Sequence, residues 1–326
     1  MKYSFIMCLI IMCLTCIYGC KSSTDENSTG TFTIPSAKKI DSSLKAKVDE
    51  QVKIVTASSD ENQKKQALSE LEKICKDNPS DFSLFSYLME KSDVSVARVG
   101  LKALEACYAG AMSDEKKAEE FEILSCVMKH PVDYFRSEAI TCISYVSDTD
   151  ERMGKQKELL KESLKDKSPH VRINAIQRLT MIKDDKAVEL FNEMLNSDKD
   201  PLVQARIIEC LNRLGVVNKE KLMELIENGE PYVKSSAIVI LSGKKDKDLI
   251  PKLVVMLDNT DKTVIGGKYD DGTATVYMAK GATLQKVAVY GLEEITGKKF
   301  QGKDTNDIEG TVKKWKEWYE KEKAGK

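Results

Sequence analysis

Few residues of this chain have the types and spacing that catalysis requires. Its two histidines, His130 and His170, each lie near a proline at the start of a predicted helix, where a structural role in a turn is expected. Acidic pairs such as Glu119-Glu120 lie on charged helical faces, which solvation explains. The sequence has no nucleophile elbow, H-E-x-x-H motif, Walker loop or G-x-G-x-x-G motif. We therefore predict no catalytic residue, no metal site and no cofactor.

One cysteine lies in a context that indicates a covalent modification. An apolar run from Phe5 to Ile17 follows a basic residue, and it ends at Gly19-Cys20 before a polar stretch. This order is typical of a signal peptide, and the run is short for a membrane span of about 20 residues. The small residue before Cys20 resembles the lipobox of bacterial lipoproteins. That resemblance implies a signal peptide over residues 1–19 and a lipid on Cys20. An uncleaved membrane anchor and an ordinary secretion signal are the alternatives.

The segment after Cys20 predicts a connection rather than a folded element. Residues 20–40 are rich in Ser, Thr, Asn, Lys and Gly and have few apolar residues. Such a composition favours a disordered tether, with a coil span of about 25 Å. A lipid-anchored chain of this kind would lie in the bacterial cell envelope, on the periplasmic or extracellular side of a membrane.

The other cysteines of the folded region lie on helical apolar patterns and form no paired C-x-x-C motif or Cys-His cluster. Buried thiols that act as small hydrophobic side chains are the simplest interpretation. One disulfide remains compatible with an exported protein. These residues are Cys75, Cys107, Cys126, Cys142 and Cys210.

The main feature of the sequence is an internal repeat that predicts helices. An apolar residue is followed four positions later by a small or apolar one and four further by an apolar one, as in Val171, Ala175 and Leu179. Helices with and without this motif alternate, and Pro169, Pro201 and other prolines mark motif-helix starts. Because one such helix cannot bury its apolar face alone, we predict stacked helical hairpins that share a core. The motif recurs at Val96/Gly100/Leu104, Phe135/Ala139/Ile143, Val203/Ile207/Leu211, Val233/Ala237/Leu241 and Leu284/Ala288/Leu292.

The spacing of Asp166 and Arg172 before an Ala-Ile-x-x-Leu run resembles a HEAT repeat, and the short repeat resembles the bacterial HEAT-like group first associated with bilin lyases. This resemblance implies that acidic and basic residues form a ladder between neighbouring repeats. Arg136 and Arg98 occupy the same position as Arg172 in weaker copies. The expected fold is all-α: a right-handed α-solenoid over residues 41–326, with repeats from about 80 to 296.

A segment longer than the repeat requires interrupts the last full hairpin. The Thr, Val, Ile and Tyr content of residues 262–281, with Asp-Asp-Gly at the centre, predicts an inserted β-hairpin. The flanking aromatic residues offer contact area for a partner, and the acidic residues would set the local charge. A hairpin that only covers an apolar edge is the alternative. The candidate partner-binding residues are Tyr269, Asp270, Asp271 and Tyr277.

The C-terminal segment predicts a helix over about residues 308–322 that closes the stack. Trp315 and Trp318 are three positions apart and therefore share one face of that helix. This pairing also resembles a closing element common in bacterial HEAT-repeat proteins. A platform for a stacked ligand is the alternative role.

Charge and architecture together favour a binding protein. The 51 basic and 52 acidic residues leave a formal charge of −1, which gives no reason to expect nucleic acid as a partner. We expect a membrane-anchored, non-enzymatic scaffold, monomeric, that binds a protein or peptide on the face formed by the second helix of each repeat. A structural envelope lipoprotein without a defined ligand and a lyase-like enzyme accessory are the alternatives.

Overall fold

Pairs of helices repeat along the part of the chain that the structure describes. This computed structural model describes residues 32–34, 39–79, 81–107, 112–216, 218–263, 265–268, 274–277, 283–300 and 307–324. The chain divides into two compact units, Met1–Leu159 (unit 1) and Leu160–Lys326 (unit 2). No helix within the described ranges is both long and apolar enough to span a membrane.

Unit 1 is built from helical pairs whose second helices contact one another. Helix α2 packs on α1, α4 on α3, and α6 on α5; α4 also contacts both α2 and α6. The last helix of the unit, α7, continues into unit 2. The helices are α1 Ser42–Ala57, α2 Glu61–Asp77, α3 Phe82–Met89, α4 Val94–Ala106, α5 Asp114–Val127, α6 Asp133–Cys142 and α7 Asp150–Ser163.

Unit 2 follows the same arrangement over more repeats. Its second helices stack in the order α8, α10, α12 and α14, while α9, α11 and α13 each pack on the second helix that follows them. Helix α15 contacts α13 and α14. The helices are α8 Pro169–Met181, α9 Ala187–Ser197, α10 Pro201–Arg213, α11 Lys219–Asn228, α12 Pro231–Gly243, α13 Ile250–Met256, α14 Leu284–Thr296 and α15 Ile308–Ala324.

The repeated sequence motif forms the core of both units, as predicted. All of its positions are buried, including Val171, Ala175 and Leu179, which have 0% exposure. Gly100 occupies the middle position in α4, where a β-carbon would lie 2.6 Å from the Phe85 carbonyl oxygen. The small residue at this position therefore lets the second helix approach the first closely.

The ends of the second helices also repeat. Helices α8, α10 and α12 begin at Pro169, Pro201 and Pro231, as the sequence predicted. After each of these helices, one residue adopts positive φ: Lys183 at 50°, Gly215 at 76° and Lys245 at 56°. The next residue donates its N–H back to the helix, as Asp184 does to the Leu179 carbonyl. This bonding is a Schellman cap, which ends the helix and turns the chain toward the next repeat.

Two short strands interrupt the last pair between α13 and α14. Strand β1, Ile265–Lys268, pairs antiparallel with β2, Ala274–Tyr277, and Ile265 lies opposite Tyr277. Both strands contact α12, β2 also contacts α10, and β1 also contacts α14. The strands therefore lie against the second-helix row of unit 2. Helix α12 is buried on nearly all sides, and even Ser235, Ser236 and Ser242 have 0% exposure.

Part of the predicted tether is packed against unit 1 instead of disordered. Ile34 is only 3% exposed, and its N–H donates to Glu90 Oε1 at 2.6 Å. The Phe32 ring meets the His130 ring edge-on, with centroids 4.6 Å apart. An aromatic and an aliphatic residue two positions apart are enough to dock this segment, so the prediction of a disordered tether is wrong for residues 32–34.

Candidate interaction surface

The loops before the second helices share one local structure that positions the ladder residues. The Asp166 carboxylate accepts a hydrogen bond from the Ser168 N–H at 2.8 Å, and Asp198 accepts one from the Asp200 N–H at 2.9 Å. In each case the carboxylate bonds the backbone two residues ahead, an Asx turn that fixes the entry to the helix. The acidic residue thus shapes its own loop before it contacts a neighbouring repeat.

Arg172 connects two successive repeats. Its Nε and terminal nitrogen donate to the two carboxylate oxygens of Asp198, at 2.7 and 2.8 Å. Its other terminal nitrogen donates to the main-chain oxygens of Asp166 and Lys167, at 2.9 and 3.2 Å. The side chains are 14% and 7% exposed, so this bidentate pair is largely desolvated. Arg172 therefore joins its own repeat to the acid of the following repeat.

Asp198 was not predicted as the partner of Arg172, although the repeat spacing contains that signal. Asp198 follows Asp166 by the same interval that separates Val171 from Val203. Gln204, in the position of Arg172, donates only to the Asp198 main-chain oxygen, at 2.8 Å. The Gln204 amide therefore keeps the contact within its own repeat, whereas the Arg172 guanidinium also makes the contact between repeats.

The other predicted ladder residues make different contacts. Arg136 donates to the main-chain oxygens of His130 and Pro131, both at 2.8 Å, so it preserves the contact within its repeat. The Arg98 guanidinium lies 4.6 Å from the Tyr134 ring centroid, which joins α4 to α6 by a cation–π contact. At the Arg98 position, an aromatic contact therefore joins the two second helices.

His130 has the turn role that the sequence predicted. Its Nδ1 accepts from the Val132 N–H at 3.0 Å, which is the bond that Asp166 and Asp198 make in their loops. Burial lowers the pKa of His130 to about 4, so the imidazole is neutral at pH 7. The second histidine, His170, lies exposed in the first turn of α8.

Polar side chains line the second helices where successive repeats meet. Arg206 pairs with Glu209 within α10 at 2.8 Å, and the hydroxyl of Ser236 on α12 lies 3.5 Å from the other Glu209 oxygen. Between α4 and α6, the Cys142 thiol lies 3.7 Å from Glu105 Oε1, and burial raises the pKa of Glu105. Polar contacts therefore join neighbouring second helices in both units.

The remaining candidate residues are located as follows. Cys20, Tyr269, Asp270 and Asp271 lie outside the described residues. Tyr277 ends β2, which contacts α10 and α12. Within the described ranges, no group of three or more His, Cys, Asp or Glu side chains could hold a metal ion. Among the described residues, the five cysteines predicted to be packed thiols form no disulfide; three are buried and two half-buried, and burial raises the pKa of Cys75 to about 12.

Helix α15 packs an aromatic cluster against the last repeat. Trp315 is fully buried, with the Phe300 ring 4.5 Å and the Trp318 ring 5.3 Å from its own. Lys316 binds both carboxylate oxygens of Asp258 at 2.6 Å, just after α13. Trp315 therefore covers the end of the stack and is not accessible as a ligand platform.

The repeat corresponds to a known family. Residues 122–212 match the HEAT repeats family, and this range covers α6, α8 and α10 with their ladder contacts. This part of the chain consists of HEAT repeats. Its HEAT repeats also account for the stacking of the second helices, since that stacking is what gives repeat proteins their continuous core.

One solved structure that matches the chain weakly is the complex of CpcE and CpcF of phycocyanin lyase from Nostoc sp. PCC7120. It is 12% identical, with a TM-score of 0.33, over 88% of this chain and 99% of that chain. This likeness does not bear on activity. No curated protein matches the chain.

Proposed function

We propose that this HEAT-repeat protein is a non-enzymatic protein-interaction scaffold, held at the bacterial cell envelope by a lipid on Cys20. The observation that carries the scaffold role is the stacking of α8, α10, α12 and α14, which places one helix from each repeat side by side. Such rows present long surfaces suited to proteins and peptides. Capture of partners after mild solubilisation, followed by mass spectrometry, tests the role. Failure to recover any protein above a mock capture would contradict it.

The lipid anchor is supported by the apolar run that ends at Gly19-Cys20 and by the polar segment behind it. The test compares membrane fractionation of the parent with that of Cys20→Ala. We expect the variant to leave the membrane fraction. A variant that stays there as fully as the parent would indicate an uncleaved membrane helix instead.

We further propose that residues 262–281 contribute to partner binding. The contacts of β1 and β2 with the second-helix row support this, because a partner on that row would meet the strands first. Residues 266–279 are replaced by a short Gly-Ser linker, and partner recovery and thermal stability are both measured. Lost partners with unchanged stability are expected. Lost stability, or full recovery of partners, would mean that the segment only covers the apolar edge.

We propose that the protein is a monomer, since α15 buries Trp315 against the last repeat and so blocks end-to-end stacking of repeats. Light scattering on the purified protein tests this proposal. A mass that is a multiple of the chain mass would contradict it.

A further inference from the structure

The segment Phe32–Ile34 has the geometry of a bound peptide. Phe32 is half-buried, Thr33 is exposed and Ile34 is buried, so alternate side chains face the protein, as in an extended chain. Phe32 meets His130, while Ile34 is 3% exposed and donates its N–H to Glu90 Oε1 at 2.6 Å. Two side chains and one main-chain hydrogen bond thus hold three residues in register.

The surface that receives this segment is assembled by unit 1 itself. We call it the α3–α6 groove and define it by Met89, Glu90, His130 and Phe135. His130 is fixed by the Val132 N–H on Nδ1, by a hydrogen bond with the Met89 backbone and by the Phe135 ring, whose centroid lies 4.5 Å away. Phe135 is a core residue of the repeat motif with 0% exposure. None of these supports involves residues 32–34, so the groove is preorganised.

We propose that the α3–α6 groove is a binding site for an extended segment of a partner protein with the pattern aromatic–x–aliphatic, and that Phe32–Ile34 occupies it in cis. The His130 edge selects an aromatic ring, and the buried position of Ile34 selects an aliphatic side chain. Glu90 accepts the main-chain N–H of the aliphatic residue, which any sequence except proline offers there. The partner segment is therefore defined by two side chains at a spacing of two.

The cis segment and a partner segment would compete for the same groove. The cis segment is joined to the folded chain through residues 35–41, since α1 begins at Ser42. A short connection gives an effective concentration in the millimolar range. If the intrinsic dissociation constant of the segment is about 100 μM, this effective concentration lowers the apparent affinity of a competing peptide about tenfold. The segment would thus set a threshold for partner binding without abolishing it.

This inference deepens the proposed function and rests on it for the existence of a partner. The two remain separable by experiment. Binding of a synthetic peptide to purified protein reports on the groove alone, whereas partner capture and Cys20→Ala fractionation report on the scaffold and its anchor.

The test uses the full chain and a labelled peptide with the sequence of residues 28–38, with binding followed by fluorescence anisotropy. The variant Phe32→Ala/Ile34→Ala vacates the groove, and Thr33→Ala is the matched control, because Thr33 is exposed. We expect the double variant to bind about tenfold more tightly than the parent and the control. Adding Glu90→Ala should remove most of that gain. A peptide with alanine at both anchor positions should not bind any of the proteins.

Circular dichroism verifies that each variant is folded. If the double variant unfolds, Phe32→Ala alone serves, because it leaves the buried Ile34 in place, and a smaller gain in affinity is then expected. Equal affinity of parent and folded variant, no binding to the folded variant, or equal binding of the alanine peptide would overturn the proposal.

Discussion

Replacing Gly100 by alanine tests how closely α4 approaches α3, and Gly154 in α7 offers the same chemical change in open space. A β-carbon on Gly100 would lie 2.6 Å from the Phe85 carbonyl oxygen and 2.9 Å from Leu88 Cβ. A β-carbon on Gly154 would have no neighbour within 4 Å. Both glycines lie inside helices of unit 1. The two variants therefore share the same change in helix propensity and differ in how the added methyl group packs.

The expected magnitudes follow from these distances. Alanine in a helix interior is favoured over glycine by about 1 kcal/mol, so Gly154→Ala should raise the free energy of unfolding by about that amount. Overpacking costs about 1 to 3 kcal/mol. At Gly100 the closest atom is a backbone oxygen, which cannot rotate away, so we expect a cost near the upper value. The net loss for Gly100→Ala is then about 2 kcal/mol, and the two variants differ by about 3 kcal/mol.

The measurement is urea-induced unfolding followed by far-ultraviolet circular dichroism, on both variants and the parent. The opposite signs matter more than the absolute values, because the same glycine-to-alanine change is made twice in one unit. Gly100→Ala at or above parent stability would refute the close approach of α3 and α4. If Gly154→Ala lowered the free energy of unfolding, the assumption that both variants gain the same helix propensity would be wrong.

Three further changes have defined outcomes. Ala175→Leu should lower the free energy of unfolding by about 1 to 3 kcal/mol through overpacking, and an unchanged melting temperature would remove this position from the core. A double-mutant cycle of Arg172→Met and Asp198→Asn should give a coupling energy of about 1 to 2 kcal/mol; additive losses would mean that the pair adds nothing between repeats. The pKa of His130 is lowered from 6.5 to about 4, so the unfolded chain protonates first and stability falls as pH falls through this window. Between pH 8 and pH 5 this loss of unfolding free energy is about 2 kcal/mol. The variant His130→Asn keeps an acceptor for the turn and should reduce the slope of unfolding free energy against pH. If that slope did not change, His130 would be excluded as its source.

The helices and the core were predictable because one periodic signal specifies both. The positions of Val203, Ile207 and Leu211 set the buried face of α10, and Pro201 sets its first residue. Apolar spacing is a local property of the sequence, and burial of that face requires only that the next repeat has the same property. Because the repeats share one pattern, the stacking of distant helices can be predicted from the apolar spacing within each helix.

Contacts that depend on one side chain at one place were not predictable in the same way. Phe32 and Ile34 lie in a polar stretch, where two apolar residues do not alter the average composition that indicated disorder. Their docking depends on His130 and Glu90, which come from two different repeats. No periodic signal connects a three-residue segment with a groove that forms only after those repeats have stacked.

The ladder shows how a repeat can lose one function of a residue and retain another. Asp166, Asp198 and His130 all accept the N–H two residues ahead, so the turn survives the change from carboxylate to imidazole. The link between repeats needs a cation facing an acid, as Arg172 faces Asp198. At the His130 position, the imidazole keeps the turn and also offers an aromatic edge to Phe32. The substitution that weakens the ladder thus creates the surface on which the N-terminal segment docks.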